Sequence, residues 1–287
     1  MASSTAASPT LTPRLRQIAS ALPFIPFAII LWFMYSEVVA SLAMDWWTDE
    51  GSSYGMLIPP LVVYLVWMER QHILSIPSIG DLRGILLVLI SCLMFLVGKL
   101  GAEFFLTRES LVVLLAGLVW CFWGGRRLRA LAFPLLLLAT MVPLPVLIYN
   151  KIGVPLQLFS SATATSILQA FGASIYRDGN ILQLPNTTLG VAEACSGLRS
   201  ISALSIGALL VGYLTCTRIR TRTILFLLAI PVAIALNVVR ISGTAVLATY
   251  HEELAMGFYH AFSGWLVFLV SFAILMMVAR GLHRFLD

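Results

Sequence analysis

Eight apolar runs separated by short polar stretches dominate this sequence and limit what the chain can fold into. A membrane-spanning helix needs about 20 apolar residues. The runs cover roughly 18–42, 55–70, 84–101, 109–123, 130–149, 197–215, 223–249 and 263–281. The chain is 60% hydrophobic and only 11% charged, whereas a soluble domain is about 25% charged. We predict an all-α integral membrane protein, a polytopic bundle of about eight transmembrane helices.

Basic residues cluster between alternate runs and therefore predict an orientation. The clusters are Arg14 with Arg16, the loop 69–83, and residues 126–129, 218–222 and 280–284. The positive-inside rule places them on the cytoplasmic side of the plasma (inner) membrane. The net charge of +5 is explained by these loops and does not indicate nucleic-acid binding. Residues 1–17 are predicted to be a flexible cytoplasmic tail, and 18–287 a single multispanning domain.

One long segment, residues 150–196, differs from the rest. Residues 150–175 are moderately apolar but carry glutamines, serines and threonines, so an interfacial helix, a re-entrant helix and a weak span all remain open. Asp178-Gly179-Asn180 between two alternating stretches predicts a β-hairpin. A third extended piece, residues 188–192, leads towards Cys195. If 150–175 does not cross fully, the whole segment lies on the outer face.

Three reactive side chains are predicted to reach the same depth near that face. Cys195 precedes the sixth run and His260 precedes the eighth. Arg240 lies about 25 Å above the inner end of the seventh run at 1.5 Å per residue, within an apolar layer about 30 Å thick. A buried arginine in a membrane helix is costly, so it indicates a functional site by default.

These residue types suit nucleophilic catalysis. A helix start or a nearby cation lowers the pKa of a thiol, histidine is the usual acid and base near neutral pH, and a guanidinium can hold an oxyanion. Position in the sequence alone leaves a purely structural role open for each of these three residues. Cys195 can be an inert apolar filler, His260 an interfacial side chain, and His251 an equal candidate base. Arg240 can pair with one of three carboxylates: Glu193, Glu252 or Glu253.

No metal or other cofactor is predicted. The four cysteines show no Cys-x-x-Cys spacing and no disulfide framework, and no His-Glu-x-x-His motif occurs.

Several ordered motifs resemble the exosortase/archaeosortase family. They are ACSGLRS at 194–200, NVVRI at 237–241, FYH at 258–260 and GWLVF at 264–268, with LQLP at 182–185 and SYGMLIP at 53–59 upstream. The resemblance extends from about residue 25 to near the end of the chain. The family pattern commonly has histidine where this chain has Tyr54.

The resemblance implies a membrane cysteine protease or transpeptidase. Its substrates would be membrane-anchored proteins with a C-terminal sorting signal, consisting of a Pro-Glu-Pro-like motif, a transmembrane helix and a basic tail. The family's catalytic residues fall on Cys195, Arg240 and His260, and this favours His260 over His251. Four further residues are expected to support them or to bind substrate: Glu193, Ser196, Arg199 and Asn237.

Two other functions remain as alternatives. One is a transporter or assembly component for an exported polysaccharide, in which Arg240 binds an anionic lipid or sugar. The other is a membrane acyltransferase that forms a thioester with an acyl chain at Cys195.

Overall fold

The computed structural model describes residues 24–49, 51–191, 197–250 and 258–286, with side chains placed in 29–49, 51–191, 197–250 and 262–286. The predicted tail, residues 1–17, lies outside the described residues. The helices are α1 (Phe24–Thr48), α2 (Ile58–Met68), α3 (Arg70–Ser75), α4 (Gly84–Leu100), α5 (Phe104–Trp123), α6 (Gly125–Ala130), α7 (Ala132–Ala139), α8 (Val146–Ala170), α9 (Leu198–Thr215), α10 (Ile219–Tyr250) and α11 (Phe258–Leu286). A short 3-10 helix, Ser53–Leu57, precedes α2.

The count of eight spans is wrong, whereas the helical membrane class is supported. Among the described residues, five helices are long and apolar enough to cross a membrane: Ile29–Thr48, Phe104–Trp123, Leu198–Thr215, Ile219–Tyr250 and Phe262–Leu286. The second and third predicted runs form shorter apolar helices, Ser53–Met68 and Gly84–Leu100. The chain is therefore a multi-pass membrane protein with fewer candidate spans than its apolar runs suggest.

The fifth predicted run fails as a span because prolines divide it. Helix α7 ends at Ala139, and α8 begins only at Val146. Pro143 and Pro145 stand between them, and proline has no N–H to continue a helical hydrogen-bond ladder. This interruption redirects the chain into α8.

Residues 150–175, whose placement the sequence left open, belong mainly to the single helix α8. Its buried face is polar and includes Gln157, Ser160, Ser161 and Thr165. The Ser161 and Thr165 hydroxyls donate to carbonyls four residues earlier at 2.8 Å, so burial leaves these donors satisfied. Helix α8 packs mainly against α10 and is not among the five candidate spans.

The predicted β-hairpin is confirmed and extended by a third strand. The strands β1 (Tyr176–Asp178), β2 (Ile181–Gln183) and β3 (Thr188–Gly190) form an antiparallel sheet in the order β1-β2-β3. Gly179 adopts a φ of 61° in the first turn, a conformation that glycine accepts without strain.

A buried apolar cluster, here called the sheet cluster, attaches this sheet to α8 and α10. Its members include Leu182 and Leu189 from the sheet, Ala164 and Leu168 from α8, and Ile241, Ala245 and Ala248 from α10. The sheet is thereby fixed beside the last turns of α10, just beyond Arg240.

Candidate active site

The predicted site residues divide into those that the structure describes and those that it does not. Cys195, Glu193 and Ser196 lie outside the described residues, as does His251. The backbone of His260 lies in the first turn of α11. Side chains are placed for the remaining three predicted residues, Arg199, Asn237 and Arg240.

The start of α9 packs against α10 through Gly197 and Asn237. Gly197 precedes α9 with a φ of 85°, in the left-handed region that favours glycine. A Cβ added at Gly197 would lie 3.0 Å from Nδ2 of Asn237. Asn237 is 1% exposed, and its Nδ2 lies 3.5 Å from Oγ of Ser160 in α8. This buried amide therefore fixes the backbone two residues after Cys195.

Arg240 lies one turn further along α10 and packs against α11. Its Nε donates to Oγ of Ser263 at 3.4 Å. A Cβ added at Gly264 would lie 3.0 Å from Nη2 and 3.2 Å from Cζ of Arg240, so the missing side chain leaves room for the guanidinium. Gly264 follows His260 by one helical turn on the same face of α11. The α10–α11 contact therefore brings Arg240 close to the turn that carries His260.

Three chain segments meet at this point: the start of α9, the turn of α10 that includes Asn237 and Arg240, and the first turns of α11. The first begins two residues after Cys195, the second contains Arg240, and the third contains His260. A guanidinium offers five N–H donors in a fixed fork, which suits binding of a carboxylate or a developing oxyanion. The arrangement can support acyl transfer with a thiol nucleophile and an imidazole acid and base.

Arg199 contributes its positive charge to the surroundings of Asp49, the residue that follows α1. Partial burial acts to raise the pKa of Asp49. Hydrogen bonds from the Ser52 hydroxyl and the Gly51 N–H, together with the Arg199 charge, nevertheless hold that pKa below its usual range. Because Asp49 is held ionised, it attracts the guanidinium in the first turn of α9.

Sequence reasoning missed several residues of this region. Gln157 of α8 donates from Nε2 to the carbonyl of Val191, the last described residue before Cys195. Ser160, Ser263 and Asp49 were also not singled out. The sequence signal for the glutamine and serines of α8 is their spacing of three to four residues, which places them on one face of the helix. No pattern in the sequence indicated that Asp49 would approach Arg199.

No metal site emerges from the described part of the chain, where no group of three or more His, Cys, Asp or Glu side chains is close enough to hold an ion.

The fold and these contacts define the class: a multi-pass helical membrane protein with a small three-stranded sheet and a charged residue where three helices meet. The family model described as transmembrane exosortase (Exosortase_EpsH) matches residues 46–277, well over half of the chain. The chain belongs to the transmembrane exosortase family. No curated protein and no solved structure gave a significant match.

Proposed function

We propose that this exosortase-family protein is a membrane cysteine protease or transpeptidase that processes a C-terminal sorting signal. Family membership supports the general class. The observation that carries the site is the packing of Arg240 against Ser263 and Gly264, one turn from His260, while Asn237 packs against Gly197. Cys195 is only two residues from Gly197, so the contacts flank all three reactive positions.

The reaction begins when the Cys195 thiolate attacks the carbonyl carbon of the scissile peptide bond. The tetrahedral oxyanion is stabilised by Arg240. His260 donates a proton to the leaving nitrogen as the C–N bond breaks, which leaves a thioester on Cys195. His260 then removes a proton from water or from an acceptor amine, which attacks the thioester and releases the thiolate.

Four residues serve this site in supporting roles. Asn237 and Arg199 position the chain around Cys195, through Gly197 and Asp49 respectively. Glu193 and Ser196, which flank Cys195, contact the substrate or orient the thiol. The substrates are exported, membrane-anchored proteins with a Pro-Glu-Pro-like motif, one transmembrane helix and a basic tail.

The site faces the outer side of the plasma (inner) membrane. The basic clusters at 218–222 and 280–284 lie at the ends of α9, α10 and α11 opposite to Gly197, Arg240 and Ser263. The positive-inside rule places those clusters in the cytoplasm. A membrane-impermeant maleimide added to intact spheroplasts should therefore label Cys195. Labelling only after the membrane is opened would contradict this orientation.

The function is tested with a secreted reporter protein that ends in a Pro-Glu-Pro motif, a transmembrane helix and a basic tail. Coexpression with the wild-type chain should yield a reporter that is shortened at this signal by mass spectrometry. Cys195→Ala should leave it intact at equal expression, and Cys92→Ala, which alters an exposed cysteine of α4, should process it normally.

Normal processing by Cys195→Ala would overturn the proposal. The species trapped on Cys195 distinguishes the protease from the acyltransferase and from the transporter. A reporter peptide linked to Cys195 supports the protease, whereas an acyl chain at that position would identify an acyltransferase. A reporter that stays intact with the wild-type chain, with no adduct on Cys195, would favour a transporter or assembly component.

A further inference from the structure

The hydrogen bonds of the small sheet fix which way the backbone of β3 points. The Val191 N–H donates to the Asn180 carbonyl at 2.9 Å, and the Leu184 N–H donates to the Thr187 carbonyl at 2.8 Å. In an antiparallel pair, hydrogen-bonded and non-hydrogen-bonded positions alternate along each strand. Of the positions between Thr187 and Val191, only Leu189 therefore bonds to β2.

The two other residues of β3 direct their backbone groups to the opposite side. Thr188 and Gly190 pair with Gln183 and Ile181 at non-hydrogen-bonded positions. Both are exposed, and within the described ranges no hydrogen bond reaches their N–H or C=O groups. A Cβ added at Gly190 would meet no atom within 4 Å. Strand β3 therefore presents an accessible edge with two outward donor and acceptor pairs.

This edge is held rigidly beside the candidate active site. Leu189 is buried in the sheet cluster between the two outward residues. At the end of the strand, the Val191 carbonyl accepts from the side chains of Asn180 and Gln157, which anchor it to the turn and to α8. Cys195 follows Gly190 by a span of at most about 17 Å of extended chain.

We propose that β3 is the substrate-binding strand of this protein. An extended segment of the substrate polypeptide next to the scissile bond adds to the sheet as a fourth strand and pairs with Thr188 and Gly190. Strand addition at an exposed edge is a general way to bind an extended peptide through its main chain. The proposal rests on the proposed function, because it assigns the binding mode of that enzyme's substrate.

A Pro-x-Pro segment is suited to this position. Its two prolines lie two residues apart, so in an extended strand their backbone nitrogen and carbonyl groups face the same edge, away from β3. The residue between them directs its N–H and C=O to the other side, where they can pair with β3. Proline lacks an N–H and is tolerated only at the edge of a sheet, and the bound segment is the new edge.

The test removes single outward N–H groups from β3. Gly190→Pro and Thr188→Pro each delete a donor that no described residue uses, and the ring would also face the bound peptide. With purified enzyme in lipid vesicles and the reporter as substrate, each variant should lower kcat/KM about tenfold, as expected for one lost hydrogen bond with an added steric contact. Labelling of Cys195 by a small maleimide should stay unchanged.

Two matched variants serve as controls. Gly190→Ala keeps the N–H and has space for the added methyl group, so its kcat/KM should be several-fold higher than that of Gly190→Pro. Arg177→Pro removes the outward N–H of β1, because Leu182, its partner, is hydrogen-bonded to β3 instead. This change at the far edge of the sheet should leave kcat/KM unchanged.

Peptide inhibition gives a measurement on the unmodified enzyme, independent of any effect on folding. A short peptide containing Pro-Glu-Pro should compete with the reporter, and methylation of its central nitrogen should weaken inhibition about tenfold. Wild-type kinetics in both β3 proline variants, an equal loss in Arg177→Pro, or equal inhibition by the methylated peptide would overturn strand addition. Absence of reporter cleavage by the wild-type enzyme would instead overturn the proposed function.

Discussion

Two arginines inside transmembrane helices show how similar residues can have different roles. Arg108 of α5 is 7% exposed and forms a salt bridge from Nη1 to Oδ2 of Asp45 in α1 at 2.7 Å. Arg240 of α10 is half-buried and lies against the Ser263 hydroxyl and Gly264. The first arginine joins two helices through a carboxylate. The second packs where Gly264 leaves space, one helical turn from His260.

The comparison teaches that burial alone does not identify a functional arginine. Both side chains are costly in a membrane and both have polar neighbours. What differs is the surrounding chemistry: Arg108 is paired with a carboxylate from a neighbouring helix, whereas Arg240 contacts a serine and a glycine in the turn of α11 that follows His260. Stability and activity measurements on matched variants can therefore separate the two roles.

The largest effect is expected from replacing the two arginines in parallel. Arg240→Gln should reduce reporter processing by about 10²–10³-fold, the loss typical of a removed oxyanion donor, with little change in melting temperature. Arg108→Gln should destabilise the protein by about 1–3 kcal/mol, because it leaves Asp45 without its salt bridge, and the folded fraction should process normally. Thermal unfolding in detergent and processing per folded molecule are the measurements. A loss of stability in Arg240→Gln together with a loss of activity in Arg108→Gln would reverse the assignment of the two roles.

A smaller effect is expected at the left-handed glycines. Gly172 and Gly197 have φ values of 84° and 85°, but an added Cβ meets nothing at Gly172 and approaches Asn237 at Gly197. Each alanine variant should lose about 1–2 kcal/mol from backbone strain. Only Gly197→Ala should also slow processing, by more than about tenfold, because it displaces the chain next to Cys195. Equal processing by the two folded variants would show that the Gly197–Asn237 contact has no part in activity.

Gly264→Ala tests the contact of Arg240 with α11 directly. The new methyl group would lie 3.0 Å from Nη2 of Arg240, so the guanidinium must shift by a few tenths of an ångström. We expect kcat/KM to fall about tenfold, since small misplacements of catalytic groups are costly. Gly281→Ala in the same helix has open space and should behave as wild type. A fully active Gly264→Ala variant would mean that the Arg240 position is not critical.

The smallest effect is expected at Asp49, and it depends on pH. A lowered pKa in the folded state means that ionised Asp49 stabilises the fold above its unfolded pKa of about 4, and that this contribution disappears as pH falls through the folded value. Asp49→Asn should therefore lower the melting temperature slightly at pH 7, and the difference from wild type should shrink below about pH 4. A difference that is constant from pH 7 to pH 3 would show that charge is not its cause.

The membrane class and the small sheet were predictable because local patterns determine them. Apolar composition required a lipid environment, and the turn at Asp178-Gly179 fixed a hairpin whose third strand also formed as expected. The number of spans was not predictable in the same way. Apolar runs such as 130–149 are long enough to cross, but Pro143 and Pro145 break the helix there.

The candidate site was only partly accessible to sequence reasoning. Cys195, Arg240 and His260 stood out by residue type, by predicted depth and by resemblance to the family, which the family model confirms. Their proposed convergence rests on contacts of α10 with Gly197 and with Gly264. The contributions of Gln157, Ser160 and Asp49 could not be foreseen, because each acts across a large sequence separation.

By itself, the sequence determined the membrane environment, the family and the types of reactive side chain, since these follow from composition and from short ordered motifs. The tertiary structure decided which polar residues meet. It paired Arg108 with Asp45, brought Arg240 against α11 through the absence of a side chain at Gly264, and left one edge of β3 exposed. The physical reason is that these contacts join residues far apart in the chain, and only helix packing and strand register bring them within bonding distance.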